Sequence, residues 1–300
     1  VKVGLPARQV HGVAIADSPV RGLKADPASV TNCSILEYRG RRLFAYRKGW
    51  NGAELYLSEL DCNHRAKWNR RIKMPRMRQN AGGCEDPRLF EFGGNLHVEY
   101  IGVERLPKNQ IRSHVLVARL EENYNVAETW LPKYSRRQHW EKNWGFFEHA
   151  AELFAVYSIH PHRVLRFDGH NVVEEIEQRY QSPWTHGTLR GGASPVLVGD
   201  RFYSFFHGTT ETATGRLYSI GCYTFAAEPP FKPLAMTPTP ILLPDQKDRP
   251  GASTPYVVFP CGALLAGGDR WLVSYGYYDK ASRIVEFDAE QLDAVMVELK

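Results

Sequence analysis

Cysteine is scarce in this 300-residue chain: there are five, Cys33, Cys62, Cys84, Cys222 and Cys261, with no CxxC pair among them. An odd number without paired spacing predicts neither a disulfide framework nor a zinc knuckle, so reduced thiols and a cytoplasmic setting are expected. Long apolar runs are also missing. The longest candidate, 256–266, is interrupted by Pro260 and Gly262 and falls short of the roughly 18 residues that a membrane helix needs. The amino-terminal stretch places Pro6, His11 and Asp17 where a secretion signal has its apolar segment, and no export is expected. No run of five like charges occurs, and 38 Lys+Arg against 33 Asp+Glu leave a net charge of +5. That small surplus suits an anionic ligand and predicts neither a nucleic-acid nor a membrane partner. Long helical periodicity is almost absent, which argues against a doubly wound α/β fold.

What is present is apolar and aromatic. With 43% hydrophobic and 12% aromatic residues, the chain can offset the entropy of ordering and is expected to be a soluble globular protein. One pattern recurs: a turn, then Leu or an aromatic, alternating residues, and an aromatic near the end. Five copies stand at 40–47, 93–100, 150–157, 199–206 and 268–275, about 50 to 70 residues apart. Another strand-like run precedes most copies, so hairpins dominate. The expectation is an all-β, five-bladed β-propeller with a short C-terminal helix, forming a single domain over 1–300. A two-sheet sandwich is the alternative. The helix is read from Leu292, Val295, Met296 and Leu299, with Asp288 and Gln291 as its capping pair.

In a propeller, residues at the strand tips converge on an axial funnel from distant parts of the chain. The tetrapeptide Glu85-Asp86-Pro87-Arg88 follows Ala81-Gly82-Gly83-Cys84 and leads into a strand. Pro87 is expected to hold Asp86 extended and so aim its carboxylate; the competing reading is a surface turn in which Arg88 pairs with an acid. The segment 140–147 gathers aromatics around a cation, an acid and an amide, as sugar sites do, and a buried structural cluster fits it equally. His160, His162 and His207 lack the spacing of a metal set, so no metal is expected. Gly191-Gly192 permits a close backbone approach to a ligand.

These residues resemble glycoside hydrolase family 130, the inverting β-mannoside phosphorylases and related hydrolases, whose fold is a five-bladed β-propeller. The resemblance runs in order through Asn32, Tyr46-Arg47, Gly82 to Arg88, Lys142 to Phe147, Arg190 to Pro195, Phe206-His207-Gly208, Pro240 to Pro244, Val257 to Gly262 and Tyr275 to Asp279. It implies that Asp86 is the catalytic acid, protonating the leaving oxygen through a sugar hydroxyl. It implies phosphate binding by Arg47, Lys142, Arg190 and His207, with Arg105 as a further cation. Substrate contacts are assigned in the same way to Asn32, Arg88, Asn143, Trp144, Tyr277 and Asp279. Two departures stand out: Arg190 replaces the family's usual Lys, and Glu148 replaces the Pro of a Phe-Pro pair, which would put an acid near the anion pocket.

The function this implies is an inverting phosphorylase that cleaves a β-mannosidic or similar β-glycosidic bond with inorganic phosphate and yields an α-sugar 1-phosphate. No cofactor or metal is expected, and phosphate is a co-substrate. The partner is an oligosaccharide or glycoside, with homo-oligomer formation left open. An inverting hydrolase is one alternative and would need a second carboxylate, with Glu141 and Glu148 as candidates. A propeller-type mannosyltransferase and a non-catalytic carbohydrate-binding propeller are the others.

Overall fold

The structure is a computed structural model that describes residues 7–9, 12–24, 30–50, 52–251 and 254–300; Pro6 and His11 lie outside them. Among the described residues the chain forms an all-β propeller. Four sheets have four strands each. The first comprises Val30–Tyr38, Arg41–Lys48, Glu54–Leu60 and Ala66–Ile72. The second comprises Cys84–Phe92, Asn95–Arg105, Ile111–Leu120 and Val126–Trp130, and the third Gly145–His149, Glu152–Ser158, His162–Asp168 and Asn171–Gln178. The last comprises Val258–Ala266, Arg270–Tyr277 and Ala281–Asp288, and is completed by Ala14–Pro19 from the other end of the chain.

The expectation of five equal blades is corrected here: four are regular. The copy at 199–206 falls in an eight-stranded sheet built around the long pair Arg201–Thr212 and Gly215–Ala226, with short strands on both sides. Four of those short strands, Ala7–Gln9, Thr188–Arg190, Val196–Val198 and Leu242–Pro244, span three residues each. The five repeated segments nevertheless occupy one structural position, the second strand of each sheet. Leu43, Phe44, Ala45 and Tyr46 show why that position repeats. All four are fully buried, because the second strand is covered on both faces by neighbouring sheets.

Five apolar cores hold the ring together, each between two consecutive sheets. Leu43 and Leu57 pack with Val98 and Leu116, Ile101 and Val115 with Phe146 and Ala155, and Phe147 and Phe154 with Phe202 and Phe225. Phe205 and Cys222 pack with Val273 and Phe287. Leu264 and Leu272 return to Ile35 and Phe44 and close the circle. Around the axis, the Ser34 hydroxyl accepts from Leu89 N at 2.9 Å and Ser274 Oγ donates to Cys33 O at 2.7 Å. All five cysteines are free, and only Cys62 is exposed.

The C-terminal helix is shorter than its apolar spacing suggested, spanning Ala289–Ala294. Asp288 caps it, accepting from Gln291 N at 2.8 Å. Val295 is already the terminal cap, and the chain then extends so that Val297–Glu298 pairs with Ala235 and Met236. Of the four apolar positions only Leu292 is helical; backbone pairing with the neighbouring strand prevails over helical periodicity. No described helix is long and apolar enough to cross a membrane.

Candidate active site

The amino-terminal ends of the innermost strands surround a cavity of about 230 Å³. Its lining includes Asn32, Arg47, Asp86, Lys142, Asn143, Arg190, His207 and Asp279, contributed by all five sheets or the segments leading into them. Eight of the twelve expected site residues therefore meet at one place.

Local backbone geometry aims these side chains. Pairing of Val30–Tyr38 with its neighbour slips at Asn32, and pairing of Cys84–Phe92 slips across Asp86 and Pro87. Such bulges turn a side chain out of the regular alternation. Asn32 and Asp86 have φ of 44° and 51°, and Asn143 and Asp279 have 63° and 53°. Four non-glycine residues in this costly region of backbone space all line one cavity, which gathers backbone strain there. The extended conformation expected for Asp86 is thereby corrected: the bulge overrides the bias from Pro87. Gly276 leaves room for this arrangement, because a Cβ there would collide with the Asn32 side chain.

Asp86 is buried, and its Oδ1 accepts from Asn32 Nδ2 at 2.7 Å and from Arg47 Nη1 at 3.2 Å. Its Oδ2 has no hydrogen-bond partner among the described residues. Burial pushes the carboxyl up, but the charges of Arg47, Lys142 and Arg88, with the Asn32 bond, outweigh it and hold the group below its ordinary value. Glu85 is 3.7 Å from Arg47 Nη1 and 3.6 Å from Lys142 Nζ. Burial and the Asp86 charge raise its pKa against those two cations. Asp279 is pushed up to about 6, first by burial, with Arg47 opposing and Asp86 and Glu85 adding to the rise.

Arg47 has only 2% of its surface exposed, yet its Nε and Nη2 have no hydrogen-bond partner among the described residues. Trp50, half-exposed on the cavity rim, covers the guanidinium with its ring 4.6 Å away. His207 lies 2.7 Å from the Gly191 carbonyl through Nδ1 and stacks on Tyr218. Burial holds its pKa down at about 3, with the Gly191 bond opposing, so the ring is neutral. A carbonyl only accepts, so the proton sits on Nδ1 and Nε2 is left as an acceptor.

Four expected residues do not line the cavity. Arg105 stands exposed at the outer tip of Asn95–Arg105. Trp144 is 1% exposed and donates to Glu141 Oε2 at 3.0 Å, so the segment 140–147 is mainly core. Tyr277 donates to Asp248 Oδ2 at 2.8 Å and secures a loop. Arg88 lies fully buried beneath the cavity, donating to Asp86 O at 3.1 Å, Asn143 Oδ1 at 3.0 Å and Gly192 O. Gly191 and Gly192 allow close approach of the Asn143 and Phe205 carbonyls, which a Cβ at either position would meet.

The carboxylates considered for a hydrolase are also elsewhere. Glu141 is buried against Trp144, Tyr157 and Gln138 N. Glu148 accepts from Gly93 N at 2.7 Å at the opposite ends of the innermost strands, and so adds no negative charge to the cavity. The acids that do accompany Asp86 are Glu85 and Asp279. His160 packs on Tyr180, and His162 on Tyr223 and Phe225, both apart from His207. Trp50, Tyr218 and Phe259 were not anticipated. Trp50 follows the end of its repeated strand by three residues, so extending each repeat past its tip would have found it.

Residues 10–298 match the family model Glyco_hydro_130, described as beta-1,4-mannooligosaccharide phosphorylase. The chain belongs to glycoside hydrolase family 130. It is thus a carbohydrate-active enzyme of the glycoside phosphorylase or hydrolase type. No curated protein sequence matches it. Solved structures share its fold. The β-1,2-mannobiose phosphorylase of Listeria innocua aligns with TM-score 0.68 at 14% identity, covering 95% of this chain and 94% of that one. A mannose phosphorylase from Leishmania mexicana, in complex with a phosphate ion, gives 0.64 at 11% identity over 96% and 92%. A GDP-mannose-dependent mannosyltransferase from the same organism gives 0.62 at 13% identity over 92% and 91%.

Proposed function

We propose that this family 130 protein is an inverting glycoside phosphorylase that cleaves a β-mannosidic or similar β-glycosidic bond with inorganic phosphate and releases an α-sugar 1-phosphate. The eight-stranded sheet takes the fifth blade position in this reading. The observation that carries it is Arg47, a buried guanidinium with two unpartnered nitrogens in the cavity that Asp86 lines. Phosphate oxygens complete such a fork with charge-assisted bonds. Lys142 and Arg190 add charge from two further segments, and neutral His207 offers Nε2 to the hydroxyl that a phosphate dianion retains.

The chemistry balances with one protein acid. A phosphate oxygen bonds to the anomeric carbon from the face opposite the leaving oxygen, the glycosidic C–O bond breaks, and Asp86 delivers a proton to the leaving oxygen. The phosphate dianion brings one proton and the sugar 1-phosphate dianion keeps none, so Asp86 is restored. No base is needed, because phosphate is already a nucleophile.

Turnover of β-mannosides is expected to require inorganic phosphate and to produce α-mannose 1-phosphate, detected by phosphorus NMR. Arg190→Gln should raise the KM for phosphate by about tenfold or more, the worth of one charge-assisted contact, with a smaller change in the KM for glycoside. Equal rates with and without phosphate would remove this reading.

A hydrolase reading is favoured by one observation, Asp279. This carboxyl lines the same cavity and, with its pKa at about 6, is ionised at neutral pH as a base for water must be. If hydrolysis is the reaction, turnover proceeds without phosphate and Asp279→Asn abolishes it. Retention of phosphate-free turnover in that variant would exclude Asp279 as the base.

A further inference from the structure

A second cavity, of about 270 Å³, opens on the outer part of the second sheet and is lined by Arg112, His114, Arg137, Gln138 and His139. Its lining contains two guanidinium groups, two imidazoles and no carboxylate. Arg112 and Arg137 are both half-buried, and neither has a carboxylate within 4.0 Å among the described residues, unlike the nearby Arg78 and Arg136. Arg137 Nη2 donates to His114 Nδ1 at 2.6 Å, and Arg112 Nε donates to His139 Nδ1 at 3.4 Å. Neutral nitrogens are thus their partners.

The tautomer of His114 follows from its neighbours. Its Nε2 lies 2.7 Å from Glu104 Oε2, which only accepts, so that nitrogen carries the hydrogen and Nδ1 presents a lone pair to Arg137. Glu104 is held from the other side by Arg78. The acid behind the cavity is therefore committed to His114 and Arg78, and Glu141 acts on Arg137 only from beyond 4.0 Å, so the remaining N–H groups of Arg112 and Arg137 have no carboxylate in direct contact. Half-buried cations of this kind are stabilised by an incoming anion.

The position ties this cavity to the catalytic one. Glu85 pairs with Ile101, and Ile101 with Val115, next to His114. The cationic cavity lies two strand spacings, about 10 Å, outward along the sheet at the same end of its strands. Lys142, in the catalytic cavity, follows Arg137, Gln138 and His139 on the same connecting segment. We propose that this cavity is an anion subsite that holds a phosphate or carboxylate group carried by the leaving sugar of the glycoside. The proposal rests on the phosphorylase reading for the identity of that sugar, but not for the binding of the anion.

The test runs the reaction in the synthetic direction from α-mannose 1-phosphate, with mannose, mannose 6-phosphate and glucuronate as acceptors. A phosphorylated or carboxylated acceptor is expected to exceed mannose in kcat/KM by about tenfold or more, and the preferred one identifies the group. In the double variant Arg112→Gln, Arg137→Gln, the ratio of charged to neutral acceptor should fall by the same factor. An unchanged ratio, or no preference in the wild type, overturns the subsite. If no acceptor reacts, the phosphorylase reading has failed, and calorimetry with mannose 6-phosphate still decides. Binding lost in the double variant but kept in Arg190→Gln supports the subsite, while equal loss in both, or no binding, overturns it. Circular dichroism of the variants excludes unfolding as the cause.

Discussion

Asp86→Asn is expected to lower kcat by about 10²- to 10⁴-fold, the usual worth of a positioned general acid, while phosphate binds at least as tightly as before. The two outcomes share one cause. The carboxylate and the anion compete for Arg47, whose Nη1 is 3.2 Å from Asp86 Oδ1; an amide still accepts from Asn32 but no longer neutralises the guanidinium. The same geometry sets the pH behaviour. Without ligand, Arg47, Lys142 and Arg88 overcome the effect of burial and hold Asp86 ionised, the wrong form for an acid. A bound phosphate dianion offsets those cations and raises the pKa of the carboxyl. The alkaline limb of kcat, which reports the complex, should therefore lie at higher pH than that of kcat/KM for glycoside at low phosphate. Steady-state kinetics and calorimetry with inorganic phosphate check both. Turnover of Asp86→Asn within tenfold of the wild type would exclude it as the acid.

The propeller was legible because its most regular feature is also its most buried. Each repeated segment is a second strand, covered on both faces, with a tight turn before it, so selection for packing leaves the same pattern five times. Three-residue strands such as Thr188–Arg190 carry no period to detect, and the eight-stranded sheet was accordingly not foreseen. At the site, charge was easier to place than shape. Arg47, Lys142, Arg190 and His207 were singled out by the family resemblance, and they line one cavity because they flank strand tips, which converge by topology. Trp144, assigned to substrate by the resemblance, sits among aromatics and is core, while Trp50, which no reading of the sequence considered, stands alone past a strand end and covers Arg47. Aromatic content does not say which face a ring takes. Glu148 was misplaced for a related reason, since its strand runs away from the cavity and carries it to the far end of the axis.

The second large effect is expected beneath the cavity. Arg88 and Glu99 are both fully buried, with Arg88 Nη1 3.6 Å from Glu99 Oε1, and neither Glu99 oxygen has a hydrogen bond among the described residues. Arg88 reaches three separate segments, at Asp86, Asn143 and Gly192, and so ties the bulge at Asp86 to the loops opposite. Arg88→Ala leaves those three buried acceptors unsatisfied at about 1–3 kcal/mol each, a loss of about 3–5 kcal/mol or more, or roughly 10 °C in Tm for a chain of this size. Arg88→Lys keeps the charge but not the fork, and should restore only part of that loss. Glu99 adds a pH signature. Burial, with Asp86 adding and Arg88 opposing, pushes its pKa up to about 8, so the folded state holds a proton that the unfolded chain releases near its ordinary value of about 4.5. This contribution is fully present below that lower value and is lost as pH rises through about 8. Glu99→Gln, neutral at every pH, should flatten the decline in stability across that window. Thermal melts from pH 4.5 to 9 measure both effects. Should Arg88→Ala melt within about 2 °C of the wild type, the buried pair does not anchor the site.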